Sequence, residues 1–304
     1  MTLSLEGRVA IVTGAGAGLG REHALLLARR GAKVVVNDPG GSVNGVGGDE
    51  SAAAAVVDEI RSAGGTAVAN VDSVASEEGA GRIIDAAVQA FGGVHVLVNN
   101  AGILRDRSFA KLSLEDFRAV VDVHFWGAVH CTRAVWPILN AQKYGRVVMT
   151  TSVSGTSGNF GQSSYGAAKE GVLGLMRALA LEGVRNDVLV NAISPGALTR
   201  MSGEVAPDDP FMRRLDPALV SPAVAWLASA RCDVSATIIT AAAGGFGRLH
   251  YFETSGVQFD PAAPVTVEMF DAAFARIADL DNAAPTRPGT DGRIMERLDT
   301  LADR

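Results

Sequence analysis

Cysteine is nearly absent: Cys131 and Cys232 are the two thiols in 304 residues, far apart along the chain. That excludes a disulfide scaffold and fits a reducing cytoplasm. Neither thiol has a histidine or second cysteine at metal-ligand spacing, so no zinc site is expected. Charge is not gathered either, because the formal net charge of −6 is spread along the chain. Without a clustered basic face, nothing favours nucleic-acid binding. Long apolar runs are missing as well. A membrane span needs about 20 apolar residues, and polar residues interrupt every candidate. The opening MTLSLEGRVAIVTG has no basic start and no long apolar stretch, so no signal peptide is expected.

What is present is enough apolar material for a large core, 48% of residues against 20% charged. Short β-branched runs occur at 8–14, 32–38, 66–72, 94–100, 145–151, 187–193 and 236–242, separated by helical stretches. Runs apolar on both faces suit strands buried between two helix layers. The expectation is an α/β, single-domain Rossmann fold: a doubly wound, seven-stranded parallel sheet with helices on both faces. The catalytic domain is expected over 1–255, with a C-terminal helical extension over 256–304 packed on it. In that extension Phe270, Ala273, Phe274, Ile277 and Leu280 recur at helical spacing. Pro207, Pro210, Pro217 and Pro222 interrupt the segment 200–222, which reads as a substrate lid or as an ordinary surface loop.

The first run leads into TGAGAGLG, with Gly14, Gly16, Gly18 and Gly20. Such a loop lets the backbone approach a pyrophosphate at a helix N-terminus. Leu19 stands where GxGxxG needs its last glycine, so the pattern is TGxxxGxG through Thr13, Gly14, Gly18 and Gly20. Asp38 ends the second run. A carboxylate there accepts hydrogen bonds from adenosine ribose hydroxyls and repels the extra phosphate of NADP, which favours NAD. As the alternative, Asp38 is a turn former in NDPGG.

Tyr165 and Lys169 stand four residues apart in YGAAK and share a helix face. A free phenol titrates near 10, too high for a base at neutral pH. A nearby ammonium favours phenolate, so Tyr165 can take a proton from a substrate hydroxyl. Ser152, at the end of the fifth run, can hydrogen-bond the same oxygen.

These residues, with NNAG (99–102) and SPG (194–196), resemble the short-chain dehydrogenase/reductase family over residues 5 to about 250. The resemblance implies that Tyr165 is the acid/base, that Lys169 binds the nicotinamide ribose and lowers the tyrosine's pKa, and that Ser152 orients substrate. It places Asp72, Ser73 and Val74 by the adenine and Asn100, Ala101 and Gly102 along the cofactor groove. Pro195, Gly196, Leu198 and Thr199 would face the nicotinamide. Where the family usually has a relay Asn in N-x-x-G, this chain has His124 in HFWG. A neutral imidazole can pass a proton or serve as a structural hydrogen-bonding residue.

Within the family, VVVNDPGGSVNGVGG, NNAGILRDRSF and AGGFGRLHYFE look like the (3R)-hydroxyacyl-CoA dehydrogenase parts of peroxisomal multifunctional enzymes. That implies oxidation of a 3-hydroxyacyl-CoA with NAD. The ending ADR is not a peroxisomal address, so a cytoplasmic protein is expected. Arg105 and Arg107 could meet CoA phosphates or be solvated and paired with acids such as Asp106. Phe211, Met212 and Leu215 could hold an acyl chain or a sterol. A hydroxysteroid or other alcohol dehydrogenase without CoA recognition is the alternative enzyme. A silent dinucleotide-binding sensor is the alternative of another class, and the joint presence of Ser152, Tyr165 and Lys169 counts against it. The small, apolar stretch 167–183 fits burial against a second copy, so a homodimer or homotetramer is expected.

Overall fold

The computed structural model describes residues 3–49, 51–202 and 212–302. They divide into two compact units, Met1–Arg248 and Leu249–Arg304. The first alternates β1 (Val9–Thr13), α1 (Gly18–Arg29), β2 (Lys33–Asn37), α2 (Ser51–Ser62), β3 (Thr66–Asn70), α3 (Glu77–Phe91) and β4 (Val96–Asn99). It continues with α4 (Leu114–Val121), α5 (Gly127–Gln142), β5 (Gly145–Thr150), α6 (Val153–Thr156), α7 (Ser163–Gly183), β6 (Val188–Gly196), α8 (Ser221–Leu227), β7 (Ile238–Ala242) and β8 (Gly245–Leu249).

β1, VAIVT, is buried along its whole length, as are β4 and β5. Strands of this kind can only sit between two helix layers, because neither face tolerates water. The spatial order is β3-β2-β1-β4-β5-β6-β7-β8, parallel through β7. All seven expected strands form. The eighth, β8, was not expected, because GFGRL is glycine-rich and mostly exposed rather than a buried apolar run. It follows β7 across a tight turn in which Ala243 and Gly244 both take positive φ (49° and 79°). A link that short joins only antiparallel neighbours.

The strand order reverses between β1 and β4, so the chain leaves these neighbours toward opposite faces and opens a crevice at their C-terminal ends. Thr13, Asp38, Asn100 and Ser152 all stand at that edge because each ends or directly follows a strand. Local signals stop the helices as well. Ser76 caps α3 by accepting from the Gly79 amide, and Gly92, at φ 84°, ends it.

The second unit pairs β9 (Phe252–Glu253) with β10 (Ala284–Pro285) antiparallel and carries α9 (Val267–Ile277) and α10 (Ile294–Ala302). Its boundary falls earlier than the expected 255/256. The Glu253 carboxylate accepts from the Arg293 amide (3.0 Å) and Arg297 Nη2 (2.9 Å), which ties α10 to the short ladder. The expected helix forms, but of its stripe only Ala273 is buried; Phe270 and Phe274 stay half-exposed and Leu280 lies beyond its end.

Two expectations follow. Leu97, fully buried at the middle of β4, should cost about 2–5 kcal/mol as Leu97→Ala, seen as a lower denaturation midpoint at unchanged m-value. His23, on α1, holds Ser221 Oγ through Nδ1 at 2.8 Å, and burial lowers its pKa from 6.5 to about 3. The unfolded chain therefore binds a proton that the folded one refuses. Stability should fall as pH drops from 6.5 toward 3, and His23→Gln should flatten that part of the melting-temperature profile.

Candidate active site

The crevice begins at a lock between β1 and β4. Thr13 Oγ1 accepts from the amides of Asn100 (3.0 Å) and Ala101 (3.1 Å), and Asn100 Nδ2 donates to the carbonyls of Thr13 and Gly14. The glycines fit into this lock. Gly14 has φ +63°, and a Cβ there would lie 2.7 Å from Ala101 Cα; one on Gly20 would overlap the Gly14 carbonyl oxygen. TGxxxGxG and NNAG are thus two halves of one packing arrangement. α1 starts beside it with Ala17 at its N-cap, whose side chain makes no cap hydrogen bond. Free amides at a helix N-terminus suit an anion.

The crevice encloses about 350 Å³, and its lining includes Gly14, Gly18, Leu19, Gly20, Asp38, Ser73, Val74, Asn100, Ala101, Gly102 and Thr199. All of these were expected. Glycines and the Asp38 carboxylate share this lining, residue types that suit a dinucleotide. Gly16, Asp72, Pro195, Gly196, Leu198, Tyr165 and Lys169 are not part of its lining. Gly16 instead donates its amide to Asp38 (2.8 Å). Asp72 pairs with Arg82 Nε (2.5 Å) and Asn70 Nδ2 (2.8 Å).

Asp38 combines the two readings open for it. Its Oδ2 holds the Gly16 amide and its Oδ1 the Gly40 amide (2.7 Å), so it organises the turn. Each oxygen still has a lone pair, and the residue lines the crevice. The strap 39–48 that follows was missed as site material. Pro39, Gly41, Ser42, Val43, Gly45 and Gly47 line the cavity, and the Leu104 amide donates to Val43 O (2.9 Å). The positive φ of Gly40, Gly45 and Gly47 was the available signal, since insertions rich in glycine are made for such turns. Asn37, Ile103, Val123, Arg200 and Met201 were missed too.

Ser152 caps the short helix α6, where its Oγ accepts from the Ser154 amide (3.1 Å). Tyr165 and Lys169 lie one turn apart on α7, with Lys169 Nζ 5.6 Å from the phenol ring centre. Lys169 is buried and donates to Thr150 O (2.6 Å), and burial lowers its pKa from 10.5 to about 7. The pKa of the Tyr165 phenol is raised from its ordinary value: burial is the largest cause, the neighbouring Ser152 side chain opposes it, and the charge of Asp106 adds to it. Lys169 is not among the groups that lower it.

His124 sits in a π-helical turn, Asp122–Trp126, inserted between α4 and α5. Such turns often mark functional sites. Its Nε2 lies 2.7 Å from Ile103 O and 3.0 Å from Ile103 N, and its ring stands edge-on to Tyr165 at 5.0 Å. Burial, with the nearby Lys169, keeps it neutral. Nδ1 is buried without a partner among the described residues. Of the expected substrate contacts, Arg105 is taken by Asp116 (2.8 Å) and Asn44 O (3.2 Å), and Arg107 Nη1 donates to Asp106 O. Phe211 lies outside the described residues, as does the centre of the expected lid, 203–211. Leu215 closes back on the sheet, its carbonyl accepting from the Leu198 amide (2.7 Å).

The short chain dehydrogenase family model matches residues 8–210, which span every element of this site except β7 and β8. The chain belongs to that family. Peroxisomal multifunctional enzyme type 2 of Drosophila melanogaster is 50% identical over 303 residues, 99% of this chain and 49% of the relative. The structure of that full-length enzyme superposes with a TM-score of 0.80 at 42% identity, covering 99% of this chain and 50% of that one. This chain thus spans about half the length of that relative. A short chain dehydrogenase from Mycobacterium avium matches with a TM-score of 0.79 and 40% identity over 94% of this chain and 99% of its own. A 7α-hydroxysteroid dehydrogenase complexed with NADH and 7-oxo glycochenodeoxycholic acid matches with a TM-score of 0.71 and 33% identity, over 80% and 95%.

As a short-chain dehydrogenase, the protein has an oxidoreductase site with one local departure, the imidazole at 124. That departure is compensated at Gly102, where an added Cβ would overlap His124 Cε1. Gly102→Ala should displace the ring, lower the melting temperature by several degrees and reduce turnover. Gly102→Ala combined with His124→Asn should recover both, because the smaller side chain makes room.

Proposed function

We propose that the protein is an NAD-dependent dehydrogenase of secondary alcohols, and that its substrate is a 3-hydroxyacyl-CoA oxidised to the 3-oxoacyl-CoA. The observation that carries the reaction type is Tyr165, one turn from a buried Lys169 and influenced by the Ser152 side chain, in a fold whose glycine-lined crevice includes Asp38. Bound dinucleotide supplies the hydride acceptor and, in its oxidised form, a positive ring. Gly14, Gly18 and the first amides of α1 would hold its phosphates, and Asp38 its adenosine ribose. Tyr165 Oη takes the proton of the substrate hydroxyl, while Ser152 Oγ hydrogen-bonds the same oxygen and orients it. Lys169 becomes fully charged when a polar partner reaches it, and so favours the phenolate. His124, neutral and next to Tyr165, has Nδ1 free to hold a water in a proton path.

Asp38 supports NAD over NADP, because a second negative group beside a buried carboxylate is repelled. The acyl-CoA substrate is supported by the resemblance to (3R)-hydroxyacyl-CoA dehydrogenases and by the half-length match to the peroxisomal enzyme. Val153, 61% exposed, follows Ser152, and Phe160, 91% exposed, precedes Tyr165; apolar side chains there suit a fatty or sterol-derived group. The same side chains suit a free hydroxysteroid, the second reading, which the hydroxysteroid dehydrogenase structure favours.

NADH formation with (3R)- and (3S)-3-hydroxyacyl-CoA, the free acids and a hydroxysteroid decides between them. Turnover confined to one CoA stereoisomer is expected; turnover of the steroid alone removes the acyl-CoA reading, and tight NAD binding without any turnover indicates a sensor. Tyr165→Phe should lose about 10²–10⁴ in kcat. NAD should be preferred over NADP by about tenfold or more in kcat/KM, a difference of at least ~1.4 kcal/mol; a preference for NADP defeats the role given to Asp38.

A homodimer or homotetramer belongs to the same proposal. A groove of about 430 Å³ between α5 and α7 is lined by Val129, Trp136, Pro137, Leu175 and Leu179, an apolar surface suited to a second copy. Light scattering should give at least a dimer, and a monomer at micromolar concentration rejects it.

A further inference from the structure

The side-chain amide of Gln162, three residues before Tyr165, meets Asp106, Ser154 and Asn159. Its Nε2 donates to Asp106 Oδ2 (2.6 Å) on the segment after β4. Its Oε1 accepts from Ser154 Oγ (2.6 Å) and Asn159 Nδ2 (3.1 Å) on the segment after β5. Which end of the amide faces which partner is fixed by chemistry, since an ionised carboxylate only accepts. The main chain repeats the tie: the Arg107 amide donates to Gly161 O (3.0 Å), and the Gly166 amide to Gln162 O (2.7 Å). Ser154 in turn passes its own amide to Ser152 Oγ. One side chain therefore joins the loop bearing Ser152, the first turn of the helix bearing Tyr165, and the loop below β4.

The two reacting hydroxyls come from different elements, and a displacement of about 1 Å between such groups can cost 10²-fold in rate. We propose that Gln162, anchored by Asp106, is a positioning residue that sets the Ser152 hydroxyl against the Tyr165 phenol. The inference rests on the reading of Ser152 and Tyr165 as the reacting pair. Asp106 also contributes its charge. The groups facing the phenol are Lys169 on its own helix, neutral His124 on the π turn, and Asp106 on the β4 segment. Of these, the Asp106 carboxylate disfavours phenolate. Asp106 is exposed, so salt screens its effect.

The test is a reciprocal exchange in the full chain, assayed with NAD and (3R)-3-hydroxydecanoyl-CoA. Gln162→Ala should lower kcat about 10- to 100-fold, with the NADH dissociation constant, read by nucleotide fluorescence, within twofold of the original. Gln162→Glu sets two carboxylates face to face and should lose as much. Adding Asp106→Asn to it restores a donor–acceptor pair in the opposite sense and should recover most of the loss. Asp106→Asn alone keeps an acceptor for Gln162 and removes the charge, so the acid limb of the kcat profile should move to lower pH. Phenolate absorbance, compared with Tyr165→Phe, should follow it; this titration needs no substrate and separates failure here from failure of the acyl-CoA reading. The proposal is overturned if Gln162→Ala turns over within twofold, if kcat and NADH affinity fall together, if the exchange gives no recovery, or if the phenol titration does not move in Asp106→Asn.

Discussion

The site depends on one contact between two neighbouring strands. Where β1 and β4 part, Thr13 Oγ1 holds the Asn100 and Ala101 amides, and Asn100 returns its own amide to Thr13 O and Gly14 O. A parallel sheet leaves unpaired backbone groups at the edge where its strands end, and the buried ones must find partners. Here short side chains satisfy them. That is why the loop can be nearly all glycine and still have a fixed shape. Without the Thr13 hydroxyl, the chain leaving β4 would have no fixed course toward Gly102, His124 and the segment 103–107.

That segment carries the order outward. Ile103 is held by His124, Leu104 by Val43, Arg105 by Asn44 and Asp116, Asp106 by Gln162, and Arg107 by Gly161. Successive residues thus bind the π turn, the glycine strap, α4 and the start of α7. The cofactor side and the proton-transfer side of the site share one short piece of backbone. From sequence Arg105 and Arg107 were open to CoA phosphates or to pairing with nearby acids, and the fold uses Arg105 to fasten a strap. An arginine in a loop rich in acids serves either purpose, and only the positions of Asp116 and Asn44, far off in sequence, separate the two.

The seven parallel strands and part of the crevice lining were legible because each depends on a pattern local in sequence: buried β-branched runs, TGxxxGxG, an acid just after β2. Tyr165 and Lys169 were legible through helical spacing. What escaped depends on contacts between distant segments. Residues 39–48 read as a turn-rich insertion, and nothing local tells that Val43 meets Leu104. Asp72, placed by resemblance beside the adenine, also pairs with Arg82 on α3, a contact that no local pattern announces. In the second unit the helical stripe formed as expected, but periodicity says which residues share a face and not how deeply that face is covered; Ala273 alone is buried.

Burial sets the chemistry of the three central groups in opposing directions. It raises the Tyr165 phenol, brings Lys169 down to about 7 and keeps His124 neutral, so the chain alone holds the site close to uncharged. A phenol and an amine that both resist ionisation are poor at proton transfer until something polar enters beside them. The same desolvation makes them responsive: in a low-dielectric pocket a single added charge acts with far more force than it would in water. Uncharged groups at these positions avoid holding a buried ion pair through folding, which costs several kcal/mol per ion. The departure from the family's usual asparagine fits this logic. An imidazole without charge fills the space that Gly102 leaves, bonds Ile103, and still presents a nitrogen that can hold water without adding to the field on Tyr165.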